Sequence, residues 1–151
     1  METKDVAILA LMTYSIGLTT YTVLSSRRDK KPKAEAKLTV GFLTMGAVLS
    51  DTHLILEVFN TGDAPITISS SGLQFPNKTQ TMARPGNAST PLPHELSPGK
   101  NIKVWFEIKP LARELIEQGH PKTVKLKARF TDHTSRIYLS KPMKIKLNEW
   151  A

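Results

Sequence analysis

The stretch KTVKLKARF, residues 122–130, sorts its side chains into two sets: Val124, Leu126, Ala128 and Phe130 against Lys125, Lys127 and Arg129. Successive side chains of a strand point to opposite faces, whereas an amphipathic helix would repeat its apolar positions every 3.6 residues. The stretch therefore reads as a half-buried antiparallel strand, apolar toward a core and basic toward solvent. The same period recurs on either side. NIKVWFEI (101–108) alternates Ile102, Val104, Phe106 and Ile108 with Lys103, Trp105 and Glu107, and MKIKL (143–147) alternates Met143, Ile145 and Leu147 with Lys144 and Lys146. Upstream, THLILEVFN (52–60) puts Leu54, Leu56 and Val58 on one face, and KLTVGFLT (37–44) does so with Leu38, Val40 and Phe42. PITIS and GLQF are shorter strand candidates.

Turn chemistry separates these runs. NTGDAP (60–65) gathers Asn, Gly, Asp and Pro, each a turn former for its own reason. SPGK (97–100) centres Pro98-Gly99 as a type II turn requires, and TDHTSR (131–136) reads as a polar hairpin loop. Residues 76–97, rich in Pro, Gly, Asn and Thr, read as a long loop with a short strand. One helix is predicted at PLARELIEQG, with Pro110 in its first position and Gly119 as its stop. A helix this short needs packing, so it is expected as a crossover on the edge of the strand assembly. Seven or so strands at this spacing predict a mainly β domain, an immunoglobulin-like antiparallel β-sandwich with one short crossover helix.

Ahead of this domain, Val6 to Ser26 carries no charge. As a helix it would span about 31 Å, matching a bilayer's hydrocarbon core. Its Ser and Thr hydroxyls can bond back to helix carbonyls, and Tyr21 suits an interface. A secretory signal would place its basic residues before the apolar run, but METKD is not basic and Arg27, Arg28, Lys30, Lys31 and Lys33 come after it. A single transmembrane helix is therefore expected, the membrane being contacted through residues 6–26. The basic side of a span stays in the cytoplasm, which puts the N-terminus outside and the main domain in the cytosol. The predicted organisation is an anchor at 1–26, a basic linker at 27–37 and the β-sandwich at 38–151.

The 151-residue chain has no cysteine, which excludes disulfides, thiolate metal sites and cysteine nucleophiles. His53, His94, His120 and His133 show no metal-ligand spacing, and they read as hydrogen-bonded or solvated surface side chains. Asp132, His133, Thr134 and Ser135 are neighbours in one turn, whereas a catalytic triad converges from separate elements. No phosphate-binding glycine motif is present. No catalytic residue, metal or cofactor is predicted.

VFNTGDAPITISSSGLQF, LPHELSPGKNIKVWFEI and LARELIEQGHPKTVKLKARFTDHTSRIYLSKP together resemble a group of bacterial hypothetical proteins. That resemblance implies a short N-terminal membrane segment, a linker and an immunoglobulin-like domain with an inserted helix, and it implies no assigned activity.

The net charge of +8 points to anionic partners. Pairing of the last two long strands would bring Lys125, Lys127 and Arg129 beside Lys144 and Lys146, and a neighbouring strand could add Lys103 and Trp105. These seven residues form the candidate contact surface. The expected function is a membrane-anchored, non-enzymatic adaptor that presents a cytosolic β-sandwich to a protein partner. The alternative is a binder of nucleic acid or anionic lipid through the same Lys/Arg face.

Overall fold

The computed structural model describes residues 3–29 and 32–151, so Lys30 and Lys31 of the predicted juxtamembrane basic set lie outside the described residues. The chain opens with helix α1 (Thr3–Asp29), followed by strands β1 (Ala34–Met45), β2 (Val48–Asn60), β3 (Ile66–Gln74), β4 (Gln80–Met82), β5 (His94–Leu96) and β6 (Asn101–Glu107). Helix α2 (Ile108–Glu117) leads into β7 (Thr123–Asp132), β8 (Ile137–Leu139), β9 (Met143–Lys146) and a closing 3-10 turn at Leu147–Glu149. The protein is mainly β.

Two antiparallel sheets form. One has the order β1-β2-β6; the other runs β4-β3-β7-β8, with β5 also paired to β3 and β9 to β7. The alternating rows fill a common core. Leu54, Leu56 and Val58 of β2, Ile102 and Val104 of β6, and Val124, Leu126, Ala128 and Phe130 of β7 are all buried. Burying such side chains contributes about 1.5–3 kcal/mol each, the main force holding the sheets together.

Between Thr3 and Ser25, α1 is long and apolar enough to cross a membrane, with a mean hydropathy of 1.5 and none of its surface covered by the rest of the chain. Its hydroxyls turn inward to the helix's own backbone. Thr13 donates to Leu9 O and Ala10 O, Thr19 to Ser15 O at 2.7 Å, Thr20 to Ile16 O at 2.8 Å and Thr22 to Leu18 O. The helix backbone continues to Asp29, and β1 begins at Ala34, so both elements reach into residues 27–37, read above as linker. Alanine at 34 and 36 explains the early start of β1: Ala36 is small enough to tuck in opposite Val58 and is buried there.

β6 passes directly into α2, because Ile108 is both the last apolar residue of the alternating row and the first helical one. Pro110 is therefore the third helical residue, not the first. It is tolerated there because the N–H groups of a first turn have no helical acceptor. The helix ends as its sequence predicts: Gly119 takes φ +80°, with Gly119 N–H bonded to Ile116 O and His120 N–H to Leu115 O. This paired arrangement closes the last turn. Leu111, Ala112 and Leu115 face the core, so α2 is a packed crossover from the first sheet to the second.

At 97–100, Lys100 N–H bonds Ser97 O and Gly99 takes φ +74°, the type II geometry. Three expectations are corrected. Residues 76–97 contain two short strands, β4 and β5, which brings the described strands to nine. Val40 and Phe42 are 43% and 61% exposed rather than in the core. β6 stops pairing with β2 at His53, so the β1–β2 hairpin runs on past the end of its sheet. His53 is buried, its Nδ1 2.5 Å from Asp51 O and 3.3 Å from Ser50 Oγ, instead of on the surface.

Candidate contact surface

The predicted basic surface divides between the two sheets. Lys103 and Trp105 sit on β6 in the three-stranded sheet, while Lys125, Lys127, Arg129, Lys144 and Lys146 belong to the other. The expectation that all seven lie side by side is corrected. It failed because α2 follows β6 and carries the chain across to the second sheet before β7 begins. Around β6, Lys103 Nζ lies 3.8 Å from Glu57 Oε1, and Trp105 is half-buried opposite Ile55. The outer edge of β6 is also taken: Ser89 N–H bonds Lys103 O, Ser89 Oγ accepts from Lys103 N–H, and Trp105 N–H bonds Asn87 O. The backbones of Lys103 and Trp105 are thereby held by the 87–89 segment.

On the six-stranded sheet the predicted pairing holds. Lys125 lies directly opposite Lys144, and Lys146 lies opposite Thr123. Like charges in register cost roughly 0.2–1 kcal/mol. Lys146 is offset by Glu149, whose Oε1 is 3.0 Å from its Nζ. Lys127 faces Gln74 across the β3–β7 ladder, and Arg129 Nη1 donates to Gln74 Oε1 at 3.1 Å. Among the described residues, Lys125, Lys127, Arg129 and Lys144 have no carboxylate at ion-pair distance.

Directly opposed residues share a face. Met82, Gly72, Arg129 and Leu139 therefore form one rung across β4, β3, β7 and β8, and Thr131 with Ile137 begins the next. Met82, Ile137 and Leu139 are 54%, 48% and 43% exposed. The surface is thus a mixed pad in which apolar Met82 and Leu139 flank Arg129. Sequence reading missed these three apolar residues. The available signal was IYL (137–139), where Tyr138 turns inward against the core and its neighbours must point out.

Met82 also lines a cavity of about 250 Å³ beneath the 83–92 loop, with Ser69, Ser70, Ser71, Arg84 and Leu92 on its walls. Ser71 Oγ is buried there without a protein hydrogen-bond partner.

The TDHTSR turn is built around Asp132, only 3% exposed. Asp132 Oδ1 accepts from Thr134 N–H, Thr134 Oγ1–H and Arg136 N–H, and its Oδ2 accepts from Tyr138 O–H at 2.9 Å. Burial alone would raise this carboxyl's pKa, but those hydrogen bonds outweigh it and hold the value below the ordinary 3.8. Tyr138 is pushed up to about 12 by burial, by its hydrogen bond to Asp132 and by that residue's charge, with Arg136 opposing. His133 is exposed and donates its backbone N–H to Thr67 O. His120 lies against Phe75, with ring centroids 5.5 Å apart and the rings tilted by 34°.

No family model matches the chain, and no curated protein matches it. Among solved structures, the X-ray structure of Northeast Structural Genomics Consortium target SoR45 is similar at 8% identity and a TM-score of 0.31, over 78% of this chain and 87% of that one. A likeness at that level carries no weight for fold or function.

Proposed function

We propose that the protein is a membrane-anchored, non-enzymatic adaptor. In this reading residues 6–26 span the membrane with the N-terminus outside, and Arg27, Arg28, Lys30, Lys31 and Lys33 hold the following domain on the cytoplasmic side. The domain is an immunoglobulin-like β-sandwich. Its six-stranded sheet presents Lys125, Lys127, Arg129 and Lys144, together with Met82, Ile137 and Leu139, to a protein partner with acidic and apolar side chains.

One observation carries this reading over the nucleic-acid or anionic-lipid alternative: exposed Met82 and Leu139 share the rung of Arg129, a cation with no carboxylate at ion-pair distance among the described residues. Phosphate recognition uses cations and stacking aromatics, whereas Met and Arg are enriched in protein interfaces, which close over apolar contacts.

The full-length protein, captured from its native membrane, tests the proposal. Wild type is expected to bring down a protein that an Arg129→Glu/Leu139→Asp double variant loses, with the variant's thermal midpoint unchanged. Retention of the same protein by the folded variant would rule out this face. Binding that instead falls linearly with log salt concentration and is released by nuclease would favour nucleic acid. A reporter fused after Trp150 is expected on the cytoplasmic side; a signal confined to the other side would overturn the orientation.

A further inference from the structure

The overhanging β1–β2 hairpin has no role in the surface described above. Val40 and Phe42 continue the core-facing row of Ala36 and Leu38, since all four lie opposite Leu54, Thr52 and the other inward positions of β2. The core ends, and the apolar row does not. At the tip, Val48 and Leu49 are 70% and 68% exposed. No charged residue occurs between Lys37 and Asp51. The arm is also braced. A register shift between Phe42 and Thr44 would leave Leu43 N–H unpaired, but Ser50 Oγ accepts it at 2.9 Å.

We infer that this arm dips its uncharged tip into the interfacial zone of the same bilayer that α1 enters, giving the domain a second, shallow membrane contact. The inference rests on the anchor reading of α1. Three points select a bilayer over a second protein. A protein interface would be rimmed by charged and polar side chains, whereas residues 38–50 carry none of the chain's charges and the first charge beyond the tip, Asp51, is paired with Lys109 at 3.5 Å. The surface is close: the five peptide steps from Asp29 to Ala34 reach at most about 18 Å. A strand of β1's length, about 36 Å, can then slope back to that surface at a shallow angle. The depth is limited because a two-stranded arm has two open edges whose N–H and C=O groups need water or headgroups, so it stops short of the hydrocarbon centre.

The chain has no cysteine, so single-cysteine variants of the full-length protein can carry an environment-sensitive fluorophore without background. In phosphatidylcholine nanodiscs, the label on Leu49→Cys is expected to shift to the blue. It should be quenched more strongly by nitroxides near the headgroup than by nitroxides at the acyl terminus or by aqueous iodide. Leu11→Cys in α1 is the anchor control and should respond to the deep nitroxide; Lys100→Cys, in a turn, should respond only to iodide. A Leu49→Cys label quenched by iodide overturns the inference, as does one shielded from both iodide and lipid, which would mean a second copy covers the arm. If Leu11→Cys responds to lipid while Leu49→Cys does not, the second contact fails and the anchor stands. If Leu49→Cys responds and Leu11→Cys does not, the arm's contact stands and the anchor fails.

Discussion

Replacing Asp132 by Ala is expected to destabilise the β domain by about 3 kcal/mol, seen as a fall of roughly 10–15 °C in its melting midpoint. The change strands Thr134 N–H, Thr134 Oγ1–H, Arg136 N–H and Tyr138 O–H, the four donors that the carboxylate now satisfies. Asp132→Asn keeps the shape and one acceptor oxygen and should cost about half as much. The pH dependence has a fixed sign. Because the folded pKa of Asp132 lies below the ordinary 3.8, its contribution is complete above the unfolded value and is lost as pH falls through the folded one. Asp132→Asn should flatten that acid limb. Tyr138, with its folded pKa raised to about 12, behaves oppositely. Its contribution is complete below the unfolded value near 10 and disappears as pH climbs toward 12, so Tyr138→Phe should remove the alkaline slope. Urea titrations of the full-length protein in detergent between pH 2 and pH 12 read both limbs. A wild-type acid limb retained in Asp132→Asn would assign it to other carboxylates.

Gly72→Ala should be nearly as damaging, at about 2–3 kcal/mol. A Cβ at Gly72 would stand 2.3 Å from Thr81 O and 3.2 Å from Met82 Cα. Those are backbone atoms of the paired strand, so no side-chain rotation relieves the clash and β4 must move off β3. The pairs Gly72–Met82, Leu73–Thr81 and Gln74–Gln80 would part together, along with the bond from Ala83 N–H to Ser71 O. Hydrogen exchange would report it: the amide of Ala83 should lose protection while those of β7 largely keep theirs. Since Met82 would leave the rung it shares with Arg129, the same variant should weaken partner capture through that face. An unchanged midpoint and unchanged Ala83 protection would show that the strand pair absorbs the methyl group.

Much of this architecture was readable from local chemistry. The rows Leu54-Leu56-Val58, Ile102-Val104-Phe106 and Val124-Leu126-Ala128-Phe130 went to the core because period 2 with one apolar face has few other solutions. Gly99 and Gly119 took positive φ where the turn and the helix stop demanded it. Val40 and Phe42 misled for a reason the same rule contains: alternation says which face a residue joins but not whether anything covers that face. How far a sheet extends depends on its neighbours, and β6 ends at Glu107 because the chain turns helical there. The contact surface was half legible. Lys125 opposite Lys144 followed from pairing the last long strands. The separation of Lys103 and Trp105 from that group depended on which sheet β6 joins, a choice made by tertiary packing. Met82 was invisible as a surface residue because its strand has only three residues, too short for a period to show, whereas Leu139 was readable only through its neighbour Tyr138.

The back-bonded hydroxyls of α1 bear on how such a segment partitions. Hydropathy scales charge each Thr and Ser the full cost of taking a hydroxyl out of water, yet Thr13, Thr19, Thr20 and Thr22 have already placed their protons on neighbouring carbonyls. The segment is accordingly oilier than its letters suggest. It also leaves few loose hydroxyl donors that would draw a second helix to its side.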